Sequence, residues 1–91
     1  MMAIKIQVGG ARTEVQPKKK RFSLEEVKEL IGGGFVTVTK IEESPDWKHV
    51  FAYCDEDGIP VGLPLNESAS QIAEMRLVGT VLFCAKGERM L

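Results

Sequence analysis

Lys18-Lys19-Lys20-Arg21 is the densest run of like charge in the chain. Three ammonium groups and a guanidinium in consecutive positions concentrate positive potential, and a phosphate-bearing ligand is the natural complement. Arg76 is a further candidate phosphate partner. A nucleotide would also need a surface for its base. Trp47, the only tryptophan, stands between Asp46 and Lys48, where it could stack on a base, anchor a subunit interface or fold back as a lid over the core. Tyr53 is a second stacking candidate, and Asn66 carries an amide suited to the edge of a base or ribose.

Other chemistries find less support in the residues. The single histidine, His49, has no serine or cysteine elbow and no triad partner in the pattern, so nucleophilic catalysis has no visible machinery. Carboxylates are plentiful but cluster in turns, where they solvate the chain rather than work as an acid–base pair. Asp55-Glu56-Asp57-Gly58 resembles the start of a calcium loop but lacks the later ligands and the bidentate glutamate. Gly32-Gly33-Gly34 follows a helix instead of opening one, the reverse of a phosphate-cradling loop. Cys54 and Cys84 each lie in an apolar run and read as buried thiols, too few for a disulfide scaffold or a zinc site. The reading is therefore a binding protein, with no enzyme activity, metal or cofactor expected.

Net charge narrows the partners. Twelve basic and thirteen acidic residues leave a formal charge of −1, which argues against a binder of duplex nucleic acid. The near-neutral total is a cancellation. Residues 1–21 hold six basic side chains against Glu14, while residues 42–74 hold eight acids against Lys48. Such a dipolar chain suits self-association, basic surface on acidic, and a homo-oligomer is expected. No apolar run is long enough to span a membrane and the first residues lack a signal-peptide pattern, so a cytoplasmic protein with no membrane partner is expected.

These groups need a scaffold, and 91 residues suffice for one small domain, its firm core over about 4–84 and a tail at 85–91. Ile4, Ile6 and Val8 alternate as one face of a strand, with residues 13–16 returning as a hairpin partner that Pro17 ends. Ser23 and Glu26 have capping-box spacing, and Leu24, Val27, Leu30 and Ile31 recur at helical intervals, so a short amphipathic helix is predicted over 24–31 with Gly32 as its stop. Strands are predicted at 35–41 and 49–54, then a hairpin turn at 55–58 with Gly58 at positive φ, and a returning edge strand at 59–62. Asn66 is read as the cap of a short helix running to Ala73, and the nearly all-apolar 77–84 as the central strand. The sum is an α+β domain: a mostly antiparallel sheet of five to six strands with one main helix on one face.

The stretch from Phe51 to Asn66 gives the chain a family likeness. An acidic turn with glycine (Asp55 to Gly58), then Gly62-Leu63-Pro64-Leu65-Asn66, then Val78-Gly79 resembles the small phage, prophage and plasmid family known as domain of unknown function 3846. Ser23-Leu24-Glu25-Glu26-Val27, Leu30 to Gly33 and Leu77-Val78-Gly79-Thr80 add to it, and the likeness runs from about Ile4 to Phe83. The dense basic run and the tail after Cys84 depart from the family pattern. The resemblance implies no activity. It implies a mobile-element accessory protein in a bacterial cell, acting by binding and occlusion. The favoured expectation is an anti-defence protein that sequesters a small anionic nucleotide-type signal as a homo-oligomer, using Lys18 to Arg21, Trp47, Tyr53, Asn66 and Arg76. The alternative is an inhibitor that docks its acidic face or an edge strand on a host or defence protein.

Overall fold

The computed structural model describes residues 2–87. Five strands, β1 (Ala3–Ile6), β2 (Arg12–Val15), β3 (Val36–Lys40), β4 (Phe51–Asp55) and β5 (Val81–Cys84), form one sheet in the order β2-β1-β5-β4-β3. Every neighbouring pair is antiparallel. The apolar β5 is the central strand, as its composition predicts, and all four of its residues are buried. Helix α1 (Leu24–Ile31) covers one face and α2 (Glu67–Ala73) the other.

Strand periodicity divides the core between these faces. Ala3, Tyr53, Leu82 and Cys84 point towards α1 and pack with Phe22, Val27 and Ile31. Ile6, Ala52, Cys54, Val81 and Phe83 point the other way and pack with Ile41, Ala69 and Leu77. Each fully buried aliphatic side chain contributes about 1.5–3 kcal/mol relative to exposure, so Val27 and Ile31 are the main anchors of α1.

Helix α1 starts and stops as its sequence dictates. Ser23 Oγ accepts from the Glu26 N–H at 3.1 Å, and Glu26 Oε1 accepts from the Ser23 N–H at 3.0 Å. Gly32 closes the helix at φ 94°, a left-handed position that glycine reaches without a Cβ penalty.

The predicted returning strand at 59–62 does not form. Both sides of β4 are already occupied, by β3 and β5, so no ladder is open to it. The segment instead folds into successive turns, with Gly58 N–H on Asp55 O, Val61 N–H on Asp57 O, Gly62 N–H on Ile59 O and Leu63 N–H on Gly58 O. Gly58 is not at positive φ; a Cβ there would stand 2.7 Å from Val78 Cγ2, so close packing demands the glycine. The final strand is also shorter than predicted. It begins at Val81, because 77–79 pairs with 64–66 through the Leu65–Val78 bridge and the Asn66 N–H to Leu77 O bond. Of the predicted tail, residues 88–91 lie outside the described residues.

Candidate functional site

Lys18, Lys19, Lys20 and Arg21 are all exposed on the loop that enters α1. With Ser23, Glu25, Glu26 and Glu29 they line an open concavity of about 800 Å³. The loop supplies cations and the helix supplies carboxylates. Glu26 is largely committed to local structure: besides capping Ser23, its Oε2 accepts from the Lys18 N–H at 3.0 Å. The Lys18 bond, followed by the Ser23 bond, holds the Glu26 carboxyl below its ordinary value of 4.5. The same bond ties the first residue of the basic run to the first turn of α1, so the run begins from a fixed point.

The carboxylates are the part of this site that the sequence reading missed. Glu25 and Glu29 are four residues apart, and Glu26 and Glu29 three, so all share the polar side of an amphipathic helix. That spacing was legible; what was not was that the basic loop folds alongside this face.

The other predicted binding residues are elsewhere. Tyr53 is 2% exposed, sealed beneath α1 in the sheet core, and cannot offer a ring to a base. Trp47 lies on the opposite face of the sheet, half-buried over the α2-side core. Its indole meets Phe83 edge-on with centroids 5.3 Å apart, and Nε1–H donates to the His49 carbonyl at 2.8 Å. Of the readings open to it, the lid is the one the packing realises. Arg76 is exposed, beside a small depression of about 170 Å³ lined by Thr37, Thr39, Ile59 and Met75, apart from the basic run.

Asn66 is the clearest correction. Its side chain is wholly buried, with Nδ2 donating to Ile6 O at 2.9 Å and Gly79 O at 2.8 Å while Oδ1 accepts from the Ala69 N–H at 3.1 Å. One residue thereby joins the end of β1, the 77–79 segment and the start of α2. Gly79 sits against it at φ 71°, its N–H on Pro64 O, and a Cβ there would lie 2.9 Å from Leu63 Cδ1. Gly62-Leu63-Pro64-Leu65-Asn66 and Val78-Gly79 therefore form a structural lock, not a ligand site.

This lock is made from the most distinctive residues in the sequence. The chain belongs to the family described as Domain of unknown function (DUF3846), whose model matches residues 1–90. Neither the curated proteins nor the solved structures contain a match to it. The membership agrees with the likeness read from the Asp55–Gly58 turn, the 62–66 segment and Val78-Gly79.

The remaining reactive groups are buried in the fold. Cys54 and Cys84 are buried thiols outside any disulfide, and burial, then the neighbouring Asp55 charge, pushes the Cys54 thiol up from its ordinary value. His49 faces the Met2 carbonyl through Nε2 at 2.6 Å, an arrangement that places a proton on Nε2 and ties the loop before β4 to the start of β1. Among the described residues no cluster of three or more His, Cys, Asp or Glu side chains could hold a metal ion, and no helix is long and apolar enough to cross a membrane.

Proposed function

We propose that this protein is a non-enzymatic binding protein that captures a small anionic, nucleotide-type ligand in the concavity between the basic loop and α1. The observation that carries the reading is the gathering of Lys18, Lys19, Lys20 and Arg21 around one open volume of about 800 Å³, a size suited to a small-molecule ligand. Phosphate groups match the cations. The facing Glu25 and Glu29 carboxylates accept hydrogen bonds, and a nucleotide also brings ribose hydroxyls and amino groups that donate them. A simple polyanion would gain nothing from that wall. In this reading the protein is an accessory of a phage or other mobile element in the bacterial cytoplasm, and it acts against host defence by removing a nucleotide signal.

Isothermal titration calorimetry against mononucleotides, cyclic dinucleotides and ADP-ribose tests this. Binding to at least one class, lost in the Lys19→Ala/Lys20→Ala/Arg21→Ala variant, is the expected result. Absence of heat across the panel at tens of micromolar overturns it.

One observation favours a second reading, an inhibitor that presents its acidic face to a host protein. Glu42, Glu43, Asp46 and Glu74 gather with Trp47 around a separate concavity of about 600 Å³ on the α2 side. Capture of a host protein by the wild type, lost on reversing those four charges, would replace the ligand reading.

A further inference from the structure

We propose that β3 is the two-fold seam of a homodimer, in which the β3 strands of two copies pair antiparallel and join two five-stranded sheets into one. The inference rests on the open edge of the sheet and is independent of the ligand reading, because no residue of the basic concavity lies on β3.

The ladder fixes which backbone groups that edge offers. Ile41 N–H donates to Val50 O and Glu56 N–H to Phe35 O, so the odd-numbered residues of this strand face β4. Alternation in an antiparallel ladder then turns the N–H and C=O groups of Val36, Val38 and Lys40 outward. Among the described residues β4 is the only strand that pairs with β3. A two-fold axis at Val38 sets Val38 against Val38 of the second copy and Val36 against Lys40 at both ends. All of the outward groups are then paired at once, with no register shift.

Side chains agree with this register. Phe35 is 65% exposed and Val38 50%, on opposite faces of the same edge. Pairing places Phe35 opposite Ile41 of the other copy and Val38 against its own equivalent, giving apolar neighbours to both. Thr37 meets Thr39, a favourable cross-strand pair. The Asp55 carboxylate also lies near the seam, its Oδ1 held by the Phe35 and Asp57 N–H groups. Lys40 falls opposite Val36 of the second copy, whose neighbour on β4 and on the same face is Asp55. Two ladder spacings, about 10 Å between Cα atoms, are within the combined reach of a lysine and an aspartate side chain.

The other edge is built differently. Strand β2 has charge at Arg12 and Glu14, exposes both, and runs into Pro17, the devices by which natural sheets discourage added strands. Strand β3 has no proline and one charge, at its last residue.

Light scattering and native mass spectrometry of the wild type test the seam, and a particle of twice 10.1 kDa is expected at tens of micromolar. Val38→Pro removes an N–H that the β3–β4 ladder does not use, and edge strands tolerate such a proline. It is expected to give a monomer with unchanged circular dichroism. Val38→Glu and Val38→Lys provide a test that does not depend on the proline variant folding. Each alone sets like charges on the axis and is expected to be monomeric, whereas their mixture is expected to restore a dimer of one copy of each. A monomeric wild type overturns the proposal, and so does a dimer that persists in both single charge variants. A dimer cross-linked through a cysteine at Thr13 but not at Val38 would move the seam to β2.

Discussion

The segment from Gly62 to Asn66 and the run from Lys18 to Arg21 are both conspicuous in the sequence, yet they end in opposite physical situations. Asn66 is buried with its amide engaged by three backbone groups, two of them on distant segments. The four cations are exposed, and their side chains border an open volume. The difference teaches that distinctiveness of sequence and availability for binding are separate properties. A small domain needs a few polar residues with a demanding geometry to set the course of its loops, and such residues look as functional as a ligand site. What distinguishes them is where their hydrogen bonds go.

The largest effect is expected of Asn66→Ala. It removes an N-cap and the buried amide donor that the Ile6 and Gly79 carbonyls share, an expected loss of about 2–4 kcal/mol in urea unfolding. Gly79→Ala follows, at about 1–3 kcal/mol, from a left-handed backbone position and a collision with Leu63. A smaller effect is expected of Ser23→Ala, about 1 kcal/mol, since it removes one half of the capping box at the border of the basic concavity.

Acid titration reaches the same cap. The Glu26 carboxyl is held below 4.5, so its contribution to stability is fully present above that pH and is lost as pH falls through the lower native value. Glu26→Gln is expected to flatten that acid limb of the stability profile and to leave the neutral region little changed in shape. The smallest effect on stability belongs to the basic run. Replacing Lys18, Lys19, Lys20 and Arg21 by serine is expected to change unfolding by under about 0.5 kcal/mol per position while abolishing anion binding. A large destabilisation there, or an Asn66→Ala variant as stable as wild type, would erase the contrast.

Legibility followed the range of the interactions involved. Both helices were readable because caps and apolar spacing act within a few residues, as at Ser23, Glu26 and Gly32. The β5 assignment was readable because a strand buried on both faces has to be apolar throughout. The segment 59–62 misled because strand-like composition says nothing about whether a ladder is free, and β4 already had two neighbours. Tyr53 misled, and Trp47 stayed open between three readings, for a related reason. An aromatic ring in a polar or alternating stretch can face the core or the solvent, and only the packing of Phe83 and α1 around them decided which.

By itself the sequence determined the α+β class, both helices with their caps, the central apolar strand, the dipolar distribution of charge and the family. Those features depend on composition and on contacts close along the chain. Only the tertiary structure decided that Asn66 is a lock, that Trp47 is a lid and that the α1 carboxylates face the basic loop. It alone showed which backbone groups of β3 remain open. Each of these depends on segments far apart in the chain meeting in one place. Asn66 reaches Ile6 across sixty positions, and no local pattern records such a meeting.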